Sequence, residues 1–132
     1  MIRVVYADGP AAPRTSPRAA LAAAGLAGTP QVLLGFTVEP HSWLDDPELT
    51  GSTVIAGYAL APAVADGRIT PRPVRLSAMP NHLAEHPADV AVVSAVPRGT
   101  GWAFHGSVGW GDAAALTAAR VVIEADPRGI DL

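Results

Sequence analysis

Residues 94–112, SAVPRGTGWAFHGSVGWGD, gather the side chains with the most chemical reach in this chain. Gly99, Gly101, Gly106, Gly109 and Gly111 surround Trp102, Phe104, His105 and Trp110. An imidazole such as His105 titrates near neutrality, so it can donate a hydrogen bond or move a proton. Glycines let backbone come close to a ligand, and the backbone N–H groups can then stabilise an oxyanion. Two familiar motifs lie near this pattern and neither fits. GTGWAFHG spaces its glycines two and then five apart, unlike G-x-G-x-x-G, and a P-loop needs a lysine that the chain lacks. His105-Gly106-Ser107-Val108-Gly109 resembles the nucleophile turn G-x-S-x-G with a histidine in the first glycine's place. No histidine follows Ser107, so the chain order of a hydrolase triad fails.

Three other sets carry chemical side chains. His82-Leu83-Ala84-Glu85-His86 matches H-x-x-E-H, a zinc-binding helix signature that puts two imidazoles on one face. Pro87 ends that helix at once and no acidic helix follows to offer a third ligand. The reading taken is a solvated helix end, with histidines favoured near the negative end of the helix dipole, and no metal site. Asp45, Asp46 and Glu48 form an acidic cluster beside Pro47, which reads as a solvated turn or helix start. Trp43, Trp102 and Trp110 either line an acyl pocket or pack locally.

The elements that must position these residues are set by a globular composition. The 132 residues suit one domain; 49% are apolar, 16% are charged and the net charge is −3. No basic patch points to nucleic acid and no apolar run is long enough to span a bilayer. The opening MIRVVYADG runs straight into a strand pattern without the apolar core of a signal peptide, so a cytoplasmic protein is expected. The absence of cysteine removes disulfides, thiolate metal sites and cysteine nucleophiles; the absence of lysine removes Schiff-base chemistry.

Along the chain, strands are expected over residues 2–7, 31–38, 53–58, 73–76, 89–94 and 120–125. Helices are expected over 17–24, capped by Ser16 with Pro17 at the first position, and over 59–66, 77–86 and 113–119, the last capped by Asp112. Residues 94–112 read as a glycine-rich loop, with a hairpin or turn the commoner reading of GTGWAFHG. Alternating strands and short helices imply a three-layer α/β domain with a mostly parallel sheet and helices on both faces. Ligands of such sheets sit beyond the carboxyl ends of the strands, where residues 94–112 begin.

The second half of the chain resembles the acetyl-CoA hydrolase/transferase family, which includes the 4-hydroxybutyrate CoA-transferases. Arg75-Leu76-Ser77-Ala78-Met79-Pro80 is similar to its RLS-x-x-P segment, and residues 87–93, PADVAVV, to its PDVALVQV strand. Without a gap, Pro97 falls on the family's second proline, Gly101-Trp102 on Gly-Tyr, Gly106 on the glycine of Ser-Leu-Gly, and Asp126-Pro127 on a later Asn-Pro. The likeness spans residues 71–127; the first half matches in layout only.

The resemblance implies a domain like the first half of a CoA-transferase, with coenzyme A entering as a thioester substrate. Its loop lies at the mouth of an active site between two similar α/β halves. Val96, Pro97, Gly101, Trp102, Gly106, Ser107 and Trp110 are then substrate-binding candidates and His105 the catalytic candidate. The family's catalytic glutamate lies in its second half, and Glu39, Glu48, Glu85 and Glu124 do not stand in that glutamate's context. The leading expectation is the small subunit of a split CoA-transferase or acyl-CoA hydrolase, with a partner chain supplying the glutamate. The alternatives are a repurposed stand-alone, homo-oligomeric enzyme using His105 on another small substrate, and a non-catalytic binding half-domain.

Overall fold

A computed structural model describes residues 1–7, 13–37, 40–104 and 110–125. Strand β1 is Ile2–Tyr6, followed by helix α1 (Pro17–Ala23), β2 (Pro30–Leu34) and β3 (Gly51–Thr53). Helix α2 (Ala61–Ala65), β4 (Ile69–Pro71) and α3 (Met79–Glu85) follow. The last third holds β5 (Val90–Arg98), β6 (Gly101–Ala103), α4 (Gly111–Thr117) and β7 (Arg120–Ala125). Single turns of 3-10 helix stand at Ser42–Asp45, Tyr58–Leu60 and Leu76–Ala78.

The sheet runs β4-β3-β2-β1-β5, with β7 on β5 and every one of these pairings parallel. Among the described residues only β6 is antiparallel, paired with the far end of β5. Alternation along the strands sends side chains to two cores. Val4, Tyr6, Val32, Leu34, Val90 and Val92 face α1 and α2, burying Ala20, Leu21 and Ala63. Val5 and Ala91 face α3 and α4, against Met79, Leu83, Trp110 and Ala114. The domain is thus α/β with a mostly parallel sheet and helices on both faces. Leu34, Leu60, Ile69, Met79 and Leu83 are fully buried, and each contributes about 1.5–3 kcal/mol of hydrophobic stabilisation.

Several elements match their sequence signals. The Ser16 side chain accepts the Ala19 N–H at 3.1 Å, and Pro17 opens α1. Others shift for local reasons. The third strand starts at Gly51, where a Cβ would sit 2.1 Å from the Val32 carbonyl oxygen, so only glycine lets β3 approach β2. It stops at Thr53, whose hydroxyl donates to the Leu34 carbonyl at 2.8 Å and accepts the Ile55 N–H at 3.1 Å. The fourth strand lies at Ile69–Pro71 instead of 73–76, because burial of Ile69 outweighs the longer run beyond it. As an edge strand, β4 tolerates Pro71. Trp110, not Asp112, stands at the cap of α4; Asp112 lies in its first turn, where a carboxylate suits the helix dipole.

The largest correction falls on residues 94–104. Instead of leaving the sheet as a loop, β5 runs on to Arg98 and folds back into β6, with Val96, Pro97 and Arg98 opposite Ala103, Trp102 and Gly101. Gly99, at the first turn position, has φ +60°. Glycine there is the signature of a II′ hairpin turn, whose twist matches its strands.

Candidate functional site

The carboxyl ends of β1, β2, β5 and β7 converge on one rim, and the strand order reverses at β1 and β5. Such a switch point is where open α/β sheets hold ligands. Tyr6 ends β1, Ser94 lies within β5, and Glu124 lies near the end of β7, paired in register with Ser94.

These side chains grip one dipeptide, Arg14-Thr15. The Glu124 carboxylate accepts the Arg14 N–H at 2.9 Å, the Thr15 N–H at 2.6 Å and the Thr15 hydroxyl at 2.6 Å. Ser94, buried midway along β5, sets its hydroxyl 3.5 Å from the same carboxylate. From the other side, the Tyr6 hydroxyl donates to the Thr15 carbonyl at 2.7 Å and the Trp43 indole N–H to the Arg14 carbonyl at 3.0 Å. Burial, helped by the negative charge of Glu124, pushes the Tyr6 hydroxyl far above the usual phenol range. Tyr6 therefore stays neutral and donates. The Glu124 carboxylate is engaged as an acceptor, so its role at this rim is to shape backbone.

Aromatic rings line the same rim. His41 stacks on Trp43 with centroids 5.4 Å apart, and Trp43 stacks on Tyr6 at 5.2 Å. Phe36, beyond β2, meets Tyr58 edge-on at 4.7 Å. Tyr58 has φ +57°, the one non-glycine in the left-handed region among the described residues. Backbone strain of this kind persists where its surroundings hold it, and it clusters at functional sites.

The sequence candidates separate into three groups. Pro97 and Trp102 face each other across the β5–β6 hairpin, with Trp102 half exposed and Gly101 at the start of the return strand. Val96 is buried at the root of that hairpin. Trp110 is 4% exposed and its indole N–H donates to the Tyr6 carbonyl at 3.1 Å. It packs beneath α4 with Met79 and Ala114, so it seats the rim from inside the core and does not wall an open pocket. His105, Gly106 and Ser107 lie outside the described residues.

The acidic cluster resolves as a turn. Asp46 accepts the Glu48 N–H, and Arg18 reaches both carboxylates from α1. His82 and His86 bring their rings to 5.0 Å, and among the described residues no third ligand joins them in a metal-holding group. Tyr6, Thr15 and Ser94 escaped the sequence reading, and Glu124 entered it only as a glutamate outside the family's catalytic context. Their signal was faint: a polar or ionisable residue near the carboxyl end of an otherwise apolar strand in IRVVY, VAVVS and VVIEA.

No protein-family model matches the chain, and comparison with the curated proteins finds no match. No helix among the described residues is long and apolar enough to cross a membrane.

Proposed function

We propose that this chain is the first-half subunit of a CoA-transferase or acyl-CoA hydrolase. Its sheet rim shapes the thioester end of the site and a partner chain supplies the glutamate. One observation carries the reading: within residues 71–127, which hold the family resemblance, the described residues 87–104 and 110–125 supply β5, its hairpin with β6, α4 and β7. Strands β5 and β7 end on the switch-point rim, where an α/β sheet offers backbone and aromatic rings to a small ligand.

The state of Glu124 fits this division of labour. Three donors from Arg14 and Thr15 occupy its carboxylate, which leaves it poorly placed to attack a thioester. An open edge fits it as well. Among the described residues β7 pairs with β5 alone, and Leu116, Val121 and Ile123 expose apolar surface beside that edge.

The test is co-expression of the chain with candidate second-half chains, followed by light scattering and an acyl-CoA turnover assay. A stable hetero-complex that turns over acyl-CoA, while the chain alone does not, is the expected result. Turnover by the isolated chain through a glutamyl intermediate overturns it. A homo-oligomer that loses activity on a small substrate with His105→Ala establishes the stand-alone reading instead.

A further inference from the structure

A second cavity, of about 310 Å³, lies on the α3 face of the sheet and plays no part in the rim. The β1–β4 half of this face carries polar side chains where the other face is apolar. The register explains why. Arg3 lies beside Gln31, and Ser52 beside Leu33, so these side chains share one side of the sheet. Arg72 follows the end of β4, with its backbone N–H donating to the Thr53 carbonyl. His82 and His86, on α3 and at its end, line the cavity from the helix side, and Arg3, Arg72 and His86 are exposed at its mouth.

The charge in this cavity has one sign. Arg3, Arg72, His82 and His86 line it and, among the described residues, no carboxylate does, although Asp89 accepts the Arg3 backbone N–H at 2.8 Å nearby. Among the described residues no carboxylate pairs with either guanidinium. Gln31 and Ser52 add neutral hydrogen-bonding groups to the floor. Two histidines one helical turn apart suit a metal ion, but two neighbouring arginines repel one and attract an anion.

The spacing bears on the anion. Arg72 lies three strands from Arg3 and four residue levels further along the sheet. At about 4.8 Å per strand and 3.3 Å per residue, their backbones are about 20 Å apart. Both long side chains nevertheless line the same cavity as the two imidazoles, an arrangement for an anion with more than one charged group. We propose that this cavity binds the diphosphate group of a small molecule, gripped by Arg3, Arg72, His82 and His86. The proposal stands independently of the CoA reading.

Protonation supports it. His82 is held below the usual imidazole range by partial burial, then by His86, Arg72 and Arg3, with Glu85 opposing. A bound anion reverses that balance and draws a proton onto the ring. Binding therefore tightens as pH falls below about 6.5, the ordinary imidazole value.

The experiment follows the imidazole NMR signals of the whole chain at fixed ionic strength during titration with pyrophosphate, phosphate and sulfate. Saturable shifts are expected at His82 and His86 and not at His41, with pyrophosphate at least tenfold tighter than sulfate. Sulfate, a dianion throughout this range, carries the pH series, and its affinity should rise from pH 7.5 to pH 5.5. Arg72→Gln should weaken pyrophosphate at least tenfold, and Arg3→Gln should do the same with the fold checked by circular dichroism. An ADP arm separates a nucleotide source from inorganic diphosphate, and tight binding of either supports the site. No saturable shift, or equal affinity for all three anions, overturns the proposal.

Discussion

At the carboxyl rim the Glu124 carboxylate meets three donors from Arg14 and Thr15; on the α3 face the Arg3 and Arg72 guanidiniums meet no carboxylate among the described residues. The rim satisfies its polar groups internally, and Tyr6 and Trp43 complete the set from the opposite side of the same dipeptide. Such a network fixes backbone in one arrangement. The α3 face keeps like charges together, offset by Glu85 near His82 and by Asp89, whose carboxylate accepts the Arg3 backbone N–H and not its guanidinium. Polar groups at the rim should therefore register in stability, and those in the cavity should register in binding and in pH response.

Glu124→Ala offers the largest break in that contrast. It leaves two backbone N–H groups and the Thr15 hydroxyl without their acceptor, and should cost about 2 kcal/mol in chemical denaturation. Tyr6→Phe removes one hydrogen bond and should cost about 1 kcal/mol at neutral pH. Its alkaline signature is more specific. The native hydroxyl titrates above the unfolded one, so its contribution is complete below pH of about 10 and fades as pH rises past it. Melting curves between pH 9 and 11 should show a steeper loss in the parent chain than in Tyr6→Phe.

The cavity should give the opposite pattern. His82 binds protons less readily when folded than when unfolded, so its contribution is complete above pH of about 6.5 and fades as pH falls through the lowered native value. Melting temperatures should drop between pH 7 and 5, and His82→Asn should shallow that drop. If sulfate restores the parent and not the variant, acid sensitivity and anion binding share one origin. Smallest of all, Trp102→Ala should change stability by less than about 0.5 kcal/mol, because the side chain is half exposed on the hairpin. The same variant should impair acyl-CoA turnover in the hetero-complex, which tests whether the exposed ring serves a ligand.

The sequence revealed local regularities and missed relations between distant strands. Alternation of apolar strands with capped helices was legible, and Ser16-Pro17 placed α1 to within a residue. A glycine-rich hairpin or turn was legible in GTGWAFHG, but its strands were not, because β5 was expected to stop at Ser94 and the glycines hid its run to Arg98 and its return in β6. Trp110 read as an aromatic in a loop, whereas a partner 104 residues away makes it a core side chain. The rim residues depend on contacts across more than a hundred residues, from Thr15 to Glu124, which no local spacing encodes. The two histidines were conspicuous from their spacing, but the arginines that decide their chemistry come from β1 and the end of β4.

The position of β1 in the sheet bears on how the chain folds as it leaves the ribosome. Its two neighbours arrive late and unequally: β2 begins at Pro30, β5 only at Val90. Until β5 emerges, the apolar strand IRVVY has one partner and an open edge, and parallel pairing across such distances is slow to form. Between the emergence of β2 and that of β5 the nascent chain thus carries its future centre as an unpaired flank, the state in which association with other chains competes with folding. Translation speed before residue 90 should therefore influence the yield of folded protein more than any change made after it.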